Sequence, residues 1–121
     1  MTWVLVVADD LYVRRLVERV LRDDGLHVRS AANVREALGL LDGEKPDVVV
    51  LDLSMSVMDS GTFLRRARNA GFISPVLILA STDAGIAAAE LSAGEFMDKP
   101  FDPIRLSAAV RALLNRTVSV C

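Results

Sequence analysis

The stretch DVVVLD, from Asp47 to Asp52, decides the fold. Its centre, Val48 to Leu51, is a continuous apolar run that is too short for a helix. Such a run is typical of a strand that is covered on both faces of a parallel sheet. Trp3 to Ala8 and Val76 to Ala80 have the same character. The sequence therefore predicts a buried parallel sheet with this stretch as its third strand.

Segments with helical spacing of apolar residues alternate with these strands. Their apolar stripes span Val13 to Leu21, Val34 to Leu41, Phe63 to Ala67 and Leu106 to Leu114. Weaker strands are expected at Leu26 to Ala31 and at Glu95 to Asp98. We also expect a helix of small residues at about Asp83 to Ser92 and a loop from Leu53 to Asp59. Five strand–helix repeats with right-handed crossovers predict a three-layer α/β sandwich.

Several residues are typical of helix ends. Gly25 follows the first helical stripe as a C-terminal glycine would. Asn33, with Glu36 three places later, is the expected N-cap of the second helix. Asp102 and Pro103 form a good N-cap and first-turn pair for the last helix.

Length and composition limit the class of protein. The 121 residues, with a net charge of −2, fit a single domain over residues 1–121, with an ordered part of about 3–115. Cys121 is the only cysteine, which excludes a disulfide scaffold and a Cys-rich zinc module. The acidic balance argues against nucleic-acid binding, and no stretch resembles a membrane span or a signal peptide. We expect a soluble, cytoplasmic protein.

The polar residues that follow the strands are the candidates for chemistry. Asp9 and Asp10 follow the first strand, Asp52 ends the third, and Lys99 follows the fifth. In an open parallel sheet, ligands bind outside the carboxyl ends of the strands. Three carboxylates and one ammonium are therefore expected to meet at one edge.

Such a set suits metal-assisted phosphoryl transfer. Neighbouring carboxylates repel one another, and a divalent cation relieves that repulsion. Mg²⁺ prefers carboxylate and carbonyl oxygens together with water. A carboxylate beside Mg²⁺ and a lysine can accept a phosphoryl group, because the cations neutralise the transferred oxygens.

Each residue also has a purely structural interpretation. Asp9 or Asp10 could cap the first helix. Asp52 could form only an Asx turn. Lys99 in front of Pro100 carries no information by itself. The prediction depends on all of these residues occurring together on the correct strands.

The sequence closely resembles the CheY-like receiver domain of response regulators in two-component signal transduction. The resemblance extends from Trp3 to about Asn115. Its motifs are Val7-Ala8-Asp9-Asp10, Val50-Leu51-Asp52 followed by Met55, Met58 and Asp59, Pro75-Val76-Leu77-Ile78-Leu79, and Lys99-Pro100-Phe101. It implies a flavodoxin-like (βα)₅ fold with strand order 2-1-3-4-5.

The resemblance also implies roles for individual residues. Asp52 would be the phosphoacceptor, and Lys99 would contact the phosphoryl oxygens. The peptide bond between Lys99 and Pro100 is usually cis in this family. Asp9 and Asp10 would form the acidic pocket, with Asp10 as the more direct ligand of Mg²⁺ (or Mn²⁺). The remaining roles are the backbone carbonyl of Ser54 as a metal ligand and Phe96 as the aromatic switch residue.

The implied partners are proteins. A sensor histidine kinase or a phosphotransfer protein would donate the phosphoryl group. The face formed by the fourth helix, fifth strand and fifth helix would then dock to a downstream protein or output domain, or form a homodimer.

The chain departs from the family pattern at the position of the switch hydroxyl. Ala80 stands where a threonine or serine is usual, and Ser81 or Thr82 could replace the missing hydroxyl. The segment from Ala80 to Lys99 is about three residues shorter than usual. Ser56 and Ser60 stand where proline and glycine are usual.

Three functions remain open from the sequence. The first is a phosphoacceptor receiver, which is not itself a turnover enzyme. The second is a phosphorylation-independent receiver that acts as a protein-interaction module, which Ala80 favours. The third is an aspartyl-phosphate phosphatase, but the position of its general acid–base holds Ser54, which cannot transfer the proton.

Overall fold

The computed structural model describes residues 2–53, 57–80 and 95–118. Five parallel strands form one sheet in the order β2-β1-β3-β4-β5. They are β1 (Trp3–Val7), β2 (His27–Ala31), β3 (Val48–Asp52), β4 (Val76–Ala80) and β5 (Glu95–Asp98). The strand order predicted by the resemblance is confirmed.

Four helices are described: α1 (Leu11–Asp23), α2 (Val34–Leu40), α3 (Val57–Asn69) and the C-terminal helix (Pro103–Val118). The helix predicted at about Asp83 to Ser92 lies outside the described residues. No helix in the described ranges has the length and apolar character needed to cross a bilayer.

Two apolar cores lie on the two faces of the sheet, because successive side chains of a strand point to opposite sides. Val49 and Leu51 of β3 pack in one core with Phe63 of α3. Val48 and Val50 pack in the other core with side chains of α1 and the C-terminal helix. The continuous apolar run of β3 is thus explained by helices on both faces.

The helix ends use the residues that the sequence predicts. Gly25 has a φ of +85°, and its N–H donates to the Arg22 carbonyl while the N–H of Leu26 donates to the Leu21 carbonyl. This is the paired bonding of a Schellman motif. The Asn33 side chain accepts from the N–H of Glu36, and the Asp102 side chain accepts from the N–H of Ile104.

One predicted boundary was wrong. Helix α3 begins at Val57, inside the predicted loop from Leu53 to Asp59. Its first turn lies before the apolar stripe from which the prediction was made.

Candidate functional site

The site lies at the edge of the sheet where the strands end. Because all pairings are parallel, the carboxyl ends of β1, β3, β4 and β5 share this edge. Asp52 is the last residue of β3 and its side chain is fully buried. The ammonium of Lys99 forms an ion pair with Asp52 Oδ1, and the Lys99 side chain is 18% exposed. The structure thus brings these two predicted residues together.

The backbone around β4 places Lys99 opposite Asp52. The N–H of Leu53 donates to the Leu79 carbonyl at 2.8 Å, which extends the pairing of β3 with β4 beyond Asp52. The N–H of Lys99 donates to the Ala80 carbonyl at 2.7 Å, which extends the pairing of β4 with β5. The Lys99–Pro100 bond is cis, as the resemblance implied. The lysine side chain therefore crosses the end of β4 to reach Asp52.

The ion pair has a clear electrostatic basis. A carboxylate that is fully removed from water is costly unless a cation or hydrogen-bond donors compensate for it. The ammonium of Lys99 supplies that compensation, and the lysine side chain is itself partly exposed. A buried carboxylate and a lysine ammonium are thus held together at the carboxyl ends of the strands.

Asp10 has a structural role in this arrangement. Its backbone is extended, and its Oδ1 accepts from the N–H of Tyr12 at 2.8 Å and of Val13 at 3.4 Å. Asp10 is therefore the N-cap of α1, which is the structural alternative that the sequence left open. Asp9 is exposed at the same edge. Its role as a cation ligand, like that of Asp10, stays a prediction.

The residue that lies beside Asp52 on the neighbouring strand is Ala8. In the pairing of β1 with β3, Val7 is level with Leu51, so the next position along each strand sets Ala8 level with Asp52. Ala8 is fully buried, and its carbonyl accepts from Arg14 Nη1 at 2.9 Å. Sequence reasoning missed both residues, because the pairing register of two distant strands is not visible in either strand alone.

The predicted group of three carboxylates is not found as such. Within the described ranges, no three His, Cys, Asp or Glu side chains are close enough to form a metal site. The carboxylates at this end of the sheet are Asp52 and, after β1, Asp9 and Asp10, of which Asp10 also caps α1. Because Mg²⁺ in proteins is often held by one or two carboxylates, with water and phosphate oxygens completing its shell, this set fits Mg²⁺.

The other predicted site residues are only partly described. Ala80 ends β4 and is buried. Ser54, the predicted ligand through its carbonyl, and Ser81 and Thr82, the predicted substitute hydroxyls, lie outside the described residues. Phe96 on β5 is 51% exposed. It borders a groove of about 470 Å³ that Phe101 and Arg105 also line.

Ser60, which replaces the usual glycine, is a second residue whose environment the sequence did not show. It lies in the first turn of α3 and is fully buried. Its Oγ has no hydrogen-bond partner within the described part of the chain. The helical stripe of Phe63 and Leu64 could have indicated this burial, since Ser60 precedes them by three and four residues.

Comparison with known proteins agrees with this fold. Residues 4–111 match the response regulator receiver domain family. The chain belongs to this family.

The relatives include longer proteins. The response regulator MprA of Mycolicibacterium vanbaalenii is 38% identical over 117 residues, which are 94% of this chain and 51% of that protein. The chain therefore spans about half the length of the curated relatives it matches.

Solved structures of similar length show the same fold. The receiver domain of the Francisella response regulator 1452 is 28% identical, with a TM-score of 0.83, and the match covers 97% of this chain and 99% of that one. The chemotaxis response regulator CheY4 of Vibrio cholerae is 29% identical, with a TM-score of 0.81, covering 93% of this chain and 98% of that one.

Proposed function

We propose that this receiver domain accepts a phosphoryl group on Asp52 and that the modification changes a surface that docks to a partner. The observation that supports this proposal best is the ion pair between the buried Asp52 carboxylate and the Lys99 ammonium. A carboxylate held beside a cation at the carboxyl ends of parallel strands suits nucleophilic attack on phosphorus followed by neutralisation of the transferred oxygens.

The reaction can be written with the residues of this chain. A carboxylate oxygen of Asp52 attacks the phosphorus of a phosphohistidine in a sensor kinase or phosphotransfer protein. The new O–P bond forms as the N–P bond breaks, and the donor imidazole keeps the electron pair. Lys99 follows the negative charge, moving from the carboxylate to the phosphoryl oxygens. A bound Mg²⁺ (or Mn²⁺) would add positive charge there, with Asp52 and the carboxylates after β1 as its protein ligands.

The output of this reaction is a change of surface rather than a released product. The chain is itself modified, so it acts as a cytoplasmic signalling module and not as a turnover enzyme on a small substrate. The groove beside Phe96, between β5 and the C-terminal helix, lies on the proposed docking face. Its occupant would be a downstream protein, an output domain of the same chain or a second copy.

The test is the intact mass of the protein after incubation with acetyl phosphate and Mg²⁺. The wild type should gain one phosphoryl group, and Asp52→Asn should gain none. Asp42→Asn, at an exposed position away from the site, is the matched control and should be modified like the wild type.

A second variant tests the lysine. Lys99→Ala should react more slowly, by about tenfold or more, because a cation that stabilises the transferred oxygens has been removed. Modification of Asp52→Asn at the wild-type rate, or an unmodified wild type with both small donors and a kinase, would contradict the proposal.

A further inference from the structure

We propose that a cavity at the amino end of the sheet binds a small organic oxyanion, a carboxylate or phosphate ester with an apolar part, and that Arg29 binds its charged group. The cavity has a volume of about 340 Å³. It lies beside the first residues of β1 and β2, whereas Asp52 is the last residue of β3. The cavity is therefore separate from the proposed phosphoacceptor, and either assignment can fail alone.

The cavity lies where α2 leaves part of the edge strand β2 uncovered. His27, Arg29 and Ala31 share one face of this strand, because alternate residues point to the same side. Ala31 is buried in the core that includes α2, whereas His27 and Arg29 are exposed. Gly39 and Gly43 also line the cavity. A Cβ added at either glycine would meet no atom within 4 Å, so the space beside them is open.

The Arg29 guanidinium is positioned by the ring of Trp3. Its Cζ lies 5.5 Å from the ring centroid, within the range of a cation–π contact. The ring is itself fixed, because Trp3 is buried and its Nε1 donates to the Glu44 carbonyl at 3.2 Å. Within the part of the chain that the structure describes, the guanidinium makes no hydrogen bond or ion pair. Its N–H groups are therefore available to a ligand in the cavity.

A guanidinium held in this way recognises an oxyanion. Its planar fork matches two oxygens of a carboxylate or phosphate, and such charge-assisted hydrogen bonds are stronger than those between neutral groups. His27 lines the same cavity and adds a ring N–H donor. Leu40 lines it too and, with Trp3, offers apolar surface to the rest of the ligand. The lining thus suits a ligand with one charged end and one apolar end.

A metal ion does not fit this cavity. Its lining includes His27 and Glu44, but no group of three His, Cys, Asp or Glu side chains among residues 2–53, 57–80 and 95–118 could hold an ion. The positive charge of Arg29 also opposes a cation. The charge that these residues favour in a ligand is negative.

The test titrates two matched pairs of probes, benzoate with acetate and phenyl phosphate with inorganic phosphate, at constant ionic strength. Trp3 is the only tryptophan of the chain, so its indole N–H gives a single NMR signal from the wall of the cavity. Benzoate or phenyl phosphate should shift this signal saturably, and the tighter binder identifies the charged group. The partner without the ring should bind about tenfold more weakly, because it buries no apolar surface. No saturable shift, or equal affinity within both pairs, would overturn the proposal.

A pair of arginine variants tests the assigned residue. Arg29→Gln should weaken binding of the tighter probe by about tenfold or more, because a charge-assisted contact is lost. Arg35→Gln makes the same change of charge at an exposed position of α2 that does not line the cavity. It should change the affinity by less than about twofold, since exposed charges are screened by salt. Equal losses in the two variants would overturn the assignment of Arg29.

Two further variants fix the sign and the place of the charge. Glu44→Gln keeps the backbone carbonyl that accepts from Trp3 and removes a negative charge, so it should not weaken binding. A loss of affinity in this variant would contradict an anion site. Asp52→Asn should bind the probe as the wild type does, and a change of affinity there would contradict binding at the amino end of the sheet.

Discussion

Asp10 stabilises the molecule through its position at the start of α1. Its carboxylate accepts the N–H groups of Tyr12 and Val13, two of the donors that the first helical turn leaves unpaired. We predict that Asp10→Ala lowers the free energy of unfolding by about 1 kcal/mol and that Asp10→Ser recovers most of this loss. Urea denaturation measures both values. Equal stabilities of Asp10→Ala and wild type would show that the cap contributes nothing.

Ser60 is a residue whose substitution should stabilise the fold. A buried hydroxyl without a partner costs about 1–3 kcal/mol, and the Ser60 Oγ has none within the described residues. We predict that Ser60→Ala raises the free energy of unfolding by about 1 kcal/mol. Ser107→Ala, at a partly exposed position of the C-terminal helix, is the control and should change stability by only a few tenths. A loss of stability in Ser60→Ala would mean that the hydroxyl is satisfied.

The residues of the candidate site show which features could be predicted from the sequence and which could not. Asp52 and Lys99 could be predicted because each ends or follows a recognisable strand, and parallel strands share an edge. The choice of Asp10 as the N-cap of α1 could not, because both Asp9 and Asp10 follow β1 and both suit a cap or a cation. Ala8 could not be recognised as the neighbour of Asp52, since that relation depends on the register between β1 and β3.

At the scale of the element, glycine has opposite effects at two helix positions. Gly25 ends α1 at a φ of +85°, and an added Cβ would meet no atom within 4 Å, so the cost of a side chain there is purely conformational. We predict that Gly25→Ala lowers stability by about 1 kcal/mol. Gly39, inside α2, also has open space around it. There Gly39→Ala should raise stability by about 0.5 kcal/mol, because alanine favours the helix.

Thermal or urea unfolding measures the stability of both variants. Neither added methyl group contacts another atom, so any change in stability reports the conformational preference of the backbone and not side-chain packing. A gain of stability in Gly25→Ala would contradict the left-handed assignment of Gly25, and a loss in Gly39→Ala would contradict the prediction for α2. The C-terminal end of α1 was predictable because Gly25 follows directly on a strong helical period of apolar residues. The start of α3 was not, because its first turn carries no such period.

At the scale of the whole molecule, burial is concentrated in the three strands β1, β3 and β4. Every residue of these strands is buried, whereas β2 contains exposed as well as buried residues and β5 alternates between partly buried and exposed residues. We predict that amide hydrogen exchange is slowest in β1, β3 and β4 and faster in β5, next to the candidate docking groove. Mass spectrometry of peptic fragments measures this order. Protection of β5 equal to that of β3 would contradict it.

This distribution of burial explains why the architecture could be predicted from the sequence. The strands that are buried on both faces have continuous apolar sequences, and the helices that cover them have one apolar and one polar face. The proposed docking surface is a different matter, because no short motif of the sequence indicates the groove beside Phe96. The meeting of Asp52 and Lys99 is thus encoded in short strand-end motifs, whereas the groove is not.

We propose Asp52 as the phosphorylated residue of this domain. The test is reduction of the phosphorylated protein with borohydride, which converts an aspartyl phosphate to homoserine, followed by peptide sequencing by mass spectrometry. We predict homoserine at position 52 and at no other aspartate. Homoserine at position 9 or 10, or none anywhere in a folded protein treated with phosphoryl donor and Mg²⁺, would contradict the claim.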